Sequence, residues 1–115
     1  MTAAAMVRFL AGAGYAAAAV AAAAQTFVVP PDLWDRPRNG RAVIEQPAVR
    51  QAVGAYLAQP GSRLVLRHGI GQESLLAAEE LRAWLVALAV EPARISLRSD
   101  LQPAEPLRIE VIRDQ

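Results

Sequence analysis

Three short stretches alternate apolar and polar residues, and repeats with helical spacing lie between and before them. Residues 63–68 set Leu64 and Leu66 against Arg63, Val65 and Arg67. Residues 93–99 set Ile95 and Leu97 against Arg94, Ser96 and Arg98, and residues 107–113 put Leu107, Ile109 and Val111 on one side. Successive side chains of a strand point to opposite faces, so each stretch offers one apolar face to bury. Such strands need a second layer. Two helices supply it. From Pro47, suited to a first helical turn, Val49, Val53 and Leu57 recur at i, i+4 and i+8, flanked by Ala52 and Tyr56, until Pro60-Gly61 stops the run. Over residues 72–89 the stripe is Ala77/Ala78, Leu81, Leu85 and Leu88, with Trp84 beside it and Glu73 in the first turn.

Residues 41–45 read as a first strand or as the lead-in to a helix, and residues 26–29 as a short edge strand. The order is then (β)αβαββ, an α+β two-layer sandwich: a mixed sheet with two helices on one face. A helix between two strands makes them parallel. The short polar connection over residues 100–106 predicts a hairpin between the last two strands.

Ahead of this domain, residues 1–24 read as a secretory signal peptide. Arg8 and the amino terminus give positive charge, residues 9–20 an apolar run, and Ala22-Ala23-Ala24 a small-x-small pattern with the cut before Gln25. An uncleaved anchor helix is the alternative. It wants about 20 strongly apolar residues, whereas this stretch is shorter, contains Gly12 and Gly14, and leans on alanine. Export without a lipid anchor predicts a periplasmic protein, or one secreted beyond the periplasm; arginine-only basic usage and abundant alanine point to a GC-rich bacterial genome. Removing the leader leaves 11 arginines against 11 acids, which argues against non-specific nucleic-acid binding. No membrane span is expected after that removal. The absence of cysteine excludes disulfides and thiolate chemistry.

Residues 25–40 carry Pro30, Pro31 and Pro37 and end in Asn39-Gly40, so they read as an extended arm. Trp34 is its one large anchor. It either caps the core of its own domain or docks on a partner.

With these elements placed, residues 41–115 resemble the OmpA-like C-terminal domain, the periplasmic module that binds peptidoglycan. The resemblance rests on the element order and on two segments. One is Leu-Val-Leu-Arg-His-Gly (64–69), where the family has a strand ending in Gly-His-Thr-Asp. The other is Leu-Arg-Ala-Trp-Leu-Val-Ala-Leu-Ala-Val-Glu-Pro-Ala-Arg-Ile (81–95), where a family helix closes through Gly-Ile/Val-x-x-x-Arg/Lys-Ile. The resemblance implies a site for the diaminopimelate of a wall peptide, held by one Asp after the strand and one Arg early in the second helix. An acid and a bidentate guanidinium suit that zwitterion. Here the Asp position falls on Ile70 and the Arg position on Ala77. Arg82-Ala83 would take the Arg-Ala slot only if the helix were shortened.

The candidate ligand residues are therefore Arg67, His68 and Arg82. Arg63, Arg94 and Arg98, with Arg67, form a stripe able to grip acidic groups on a partner, or else a sheet surface balanced by Asp100 and Glu110. Glu73, Glu79 and Glu80 read as a solvated helix face, with Arg82 three residues beyond Glu79. His68 is the only histidine, and Ser62 or Ser74 could approach it, yet no Gly-x-Ser-x-Gly elbow or orienting acid is placed. Gly69-Ile70-Gly71 lacks the remaining features of a phosphate loop and reads as a tight turn. The expected function is a non-enzymatic periplasmic module for envelope interaction, with a degenerate peptidoglycan site and no cofactor, metal or catalytic residue. Its partner would be an envelope protein or peptidoglycan. A functional peptidoglycan-binding domain and a small hydrolase using His68 are the alternatives.

Overall fold

A computed structural model of the chain describes residues 24–113. The leader expected over residues 1–24 lies outside them except for Ala24, which opens the first strand. The elements are β1 (Ala24–Val28), a 3-10 turn (Pro31–Asp35), α1 (Gly40–Glu45), α2 (Pro47–Ala58), β2 (Ser62–Gly69), α3 (Gln72–Ala87), a second 3-10 turn (Pro92–Arg94), β3 (Ile95–Leu101) and β4 (Arg108–Arg113).

The four strands form one mixed sheet in the order β1-β4-β2-β3. β4 runs antiparallel to both β1 and β2, and β3 runs parallel to β2. Register places Phe27, Ile109, Leu66 and Leu97 in one row across the sheet, and Val111, Leu64 and Ile95 in the next. Leu64, Leu66, Ile109 and Val111 are buried on this face in a single core with Val49, Val53, Leu81 and Leu85 of α2 and α3. Both long helices thus cover one face, and the chain has the expected α+β architecture.

Several expectations need correction. The last two strands do not form a hairpin, because β4 inserts between β1 and β2 instead of flanking β3. That central slot leaves Ile109 at 0% and Val111 at 2% exposure, more burial than an edge allows; the 102–107 connection therefore crosses the end of β2. Of the two readings of residues 41–45 the helical one holds, since the Asn39 side chain caps α1 by accepting from the Ala42 N–H at 2.8 Å. Pro47 then forces Gln46 out of helix, and Gln46 caps α2 by accepting from the Ala48 N–H at 2.7 Å. Leu57 is 60% exposed and leaves the α2 stripe to Ala48, Val49, Ala52 and Val53.

The proline-rich arm is part of the domain. β1 pairs along β4, the Val29 N–H donates to the Leu107 carbonyl at 2.9 Å, and Val29 and Leu33 lie in the core. Leu33→Ala should therefore cost about 2–4 kcal/mol of unfolding free energy in urea titration; a change near zero would mean that the arm is detachable.

α3 ends in a Schellman motif. The Val90 N–H reaches the Leu85 carbonyl at 3.0 Å, the Ala89 N–H reaches that of Val86 at 3.1 Å, and Leu85 and Val90 are both buried. Ala89 carries φ 85, the left-handed region that penalises a Cβ. Ala89→Gly should raise stability by about 1 kcal/mol, seen as a higher denaturation midpoint at unchanged slope.

Candidate functional site

Because the 102–107 connection crosses the end of β2, it walls a cleft there. The floor is the β2 exit at His68 and Gly69; the other walls come from Val29 and Trp34 on the N-terminal side and from Ser74 and Ala77 of α3. Its volume is about 350 Å³. The β2 exit approaches α3 closely, since a Cβ on Gly69 would stand 3.2 Å from Ser74 Oγ.

His68 is 4% exposed. Its Nδ1 lies 2.7 Å from the Gly69 carbonyl oxygen. A carbonyl only accepts, so Nδ1 carries the hydrogen, and in the neutral ring Nε2 keeps the lone pair. The ring is held by backbone and not by a carboxylate, so the arrangement lacks the orienting acid of a triad. Glu73 stands exposed at the rim. Glu105 also lines the cleft, but its carboxylate is occupied: Oε1 accepts from the Gln102 N–H and Oε2 from Arg108 Nη2, each at 2.8 Å. Among the described residues no group of three His, Cys, Asp or Glu could hold a metal.

The structure does not gather the three residues expected to bind ligand. Arg67 precedes His68 on β2 and leaves the opposite face, which neither α2 nor α3 covers. There its guanidinium meets Asp100 Oδ2 at 3.2 Å and Glu110 Oε1 at 3.1 Å. Arg82 lies ten residues into α3 from Gln72, roughly 15 Å along the axis, and Nη2 approaches the Pro92 carbonyl at 3.4 Å; it does not pair with Glu79. Among the described residues, no arginine lines the cleft. At the positions where the resemblance implies Asp and Arg, Ile70 is 77% exposed and outside the lining, while Ala77 lines the cleft without charge.

The arginine stripe is divided in the same way. Arg63, Arg67 and Arg98 share the face opposite α2 and α3 with Glu110 and Asp100 by strand alternation. Arg94 sits in the turn before β3, and its Nη1 donates to the Gly61 carbonyl at 3.2 Å. Trp34, considered as a partner anchor, packs half-buried against its own core.

What holds Trp34 there is a cluster that sequence reasoning missed. Arg38 Nη2 donates to Glu80 Oε1 at 3.0 Å while Nε donates to Oε2, a bidentate pair. Arg38 Nη1 also donates to the Trp34 carbonyl at 3.0 Å, and the guanidinium lies 5.2 Å from the Trp34 ring centroid. Trp84 Nε1 donates to Glu80 Oε2 at 3.0 Å. Glu80 is thus no member of a merely solvated face. The partners lie 42 residues apart, and no local pattern announces such a pair.

The hydrogen bonds from Arg38, helped by Trp84, hold the Glu80 carboxyl below its usual range against a smaller desolvation effect. A carboxyl lowered in the folded state contributes stability above its unfolded value, about 4.3, and loses it as pH falls through the folded one. Glu80→Gln should destabilise the protein at neutral pH, and the gap to wild type should close on acidification. Urea midpoints measured from pH 7 to pH 3 check this; a constant gap would refute it.

No significant match to the chain exists among protein-family models, curated proteins or solved structures. Among the described residues no helix is long and apolar enough to cross a membrane.

Proposed function

We propose that this chain is a non-enzymatic, exported module of the OmpA-like type, working by interaction in the bacterial envelope with a degenerate peptidoglycan site. The observation that carries this reading is the cleft at the β2 exit. It lies where the resemblance puts the wall-peptide site, yet among the described residues its lining has no guanidinium to meet a carboxylate. Arg67, the nearest arginine in sequence, is engaged by Asp100 and Glu110 on the other side of the sheet.

Two features support the family reading. The element order and mixed sheet are those the resemblance implies. Ala89 stands where the family motif has glycine, and its backbone keeps the left-handed conformation that favours glycine. The fold can outlive its site because the site's groups sit at loop and helix ends, whereas the core stripes carry the packing. The His68 ring, oriented by a carbonyl, supports a structural role for that residue. Export to the periplasm rests on the leader at residues 1–24, and an envelope protein is the partner this reading favours.

The protein should show no diaminopimelate-sensitive retention on purified sacculi in a pull-down with and without the free amino acid. Retention that the competitor abolishes would restore an active peptidoglycan-binding domain and overturn the reading.

A further inference from the structure

The cleft at the β2 exit has a chemistry of its own, set by one unengaged lone pair. His68 lines the cleft and is only 4% exposed. Its Nδ1–H is held by the Gly69 carbonyl, and that bond fixes the ring, so the lone pair on Nε2 keeps one direction. Among the described residues Nε2 meets no donor. Nor is it sealed in, since among those residues Arg108 Nε alone is both enclosed and without a partner. The small open part of the ring therefore includes Nε2, and the space it opens onto is the cleft. Buried acceptors are normally paired, so this one marks where a donor is to be met.

The rest of the lining decides what kind of donor fits. Val29, Pro31, Trp34, Ala77, Pro103 and Pro106 make apolar walls, against which a charged group loses hydration without return. A carboxylate or phosphate would meet no arginine among the described lining residues, and would face Glu73 and Glu105. An ammonium would find Glu73 only in the exposed first turn of α3, where the helix dipole opposes a cation. An uncharged hydroxyl meets neither difficulty. It donates to Nε2, and its oxygen can accept from the Ser74 hydroxyl at the same strand exit. An aromatic carrier suits the walls, because a ring covers much apolar area and packs well beside Trp34. The volume of about 350 Å³ lies within the roughly 300–1,000 Å³ of small-molecule sites.

We propose that the cleft binds a phenolic group, its ring against Trp34 and the prolines and its hydroxyl donating to His68 Nε2. A small free phenol and a tyrosine side chain of another protein present this same chemistry. Every lining residue lies at or after Val29, so removal of the leader before Gln25 takes nothing from the site. Ala24 pairs with Ile112 and Ser62 with Arg113. Both ends of the described chain therefore lie at the other end of the sheet, a strand length of roughly 16 Å away. The inference does not rest on the envelope reading, and retention on sacculi and phenol binding are separate measurements.

His68 is the only histidine, so in a protein labelled at histidine nitrogen its ring gives the only imidazole signals. The titration uses p-cresol at about pH 8, where an ordinary imidazole is neutral and a phenol keeps its proton. The Nε2 resonance should move upfield while that of Nδ1 stays. The methyl ether of p-cresol has the same ring and no donor. It should bind at least about tenfold more weakly, because it leaves Nε2 buried and unpaired. Ala77→Leu, which fills the cleft from α3 and leaves His68 in place, should abolish the shift. If that variant fails to fold, the ether comparison on wild type still decides. N-acetyltyrosine amide assigns the source: tighter binding than p-cresol points to a protein side chain, weaker binding to a free phenol, and either order upholds the site. An Nε2 unmoved as p-cresol nears saturation means that only water meets it, and overturns the inference. So does equal binding of the ether, or tighter binding of butylammonium than of p-cresol, which would give the cleft to Glu73.

Discussion

Strand β4 lies between β1 and β2, antiparallel to both, and the remaining elements take their places from that insertion. Without β4, the N-terminal strand has no neighbour and β2–β3 is a bare parallel pair. With it, Ile109 and Val111 line up with Leu64, Leu66 and Phe27 to make the apolar floor on which α2 and α3 rest. The insertion also dictates the path of the 102–107 connection over the end of β2, and that path forms the cleft. Core and candidate site are thus two results of one pairing choice. Much of this pairing is between residues far apart in sequence, and such topologies gather their contacts late in folding.

The second organising force is the disposal of charge. Arginine is the only strong base in the chain, and its fork geometry favours fixed partners over loose surface pairing. Arg38 ties the segment after β1 to α3 through Glu80; Arg67 joins β3 and β4 through Asp100 and Glu110; Arg108 fixes the cleft wall through Glu105. Each links parts distant in space or steadies a loop. The cleft is left with His68, Ser74 and the rim carboxylate of Glu73, and among the described residues no arginine lines it.

Period-two alternation made three strands and their buried faces legible, and helical spacing located α2 and α3 within a few residues. Where reading failed, local signals were outweighed by non-local ones. Residues 41–45 stayed open between strand and helix because their Val and Ile suit a strand; the slot beside β4 belonged to β1, and the Asn39 cap decided for helix. A short polar loop looked like a hairpin because nothing local says that a strand will step over its neighbour. Arg67 and His68 cannot line one site, since adjacent residues of one strand point to opposite faces. The Arg38–Glu80 pair had no sequence signature at all. For the candidate site, the position of His68 and the blankness of Ile70 and Ala77 were readable; the enclosing proline-rich wall was not.

The left-handed turn at Ala89 has a genetic side. Alanine and glycine codons differ at a single base, so relief of the strain lies one point mutation away, and the chain retains alanine. A penalty of about 1 kcal/mol at a helix end is tolerable only where the folded state has some margin to spare. The helix terminus thus carries a residue other than the one its backbone conformation favours most.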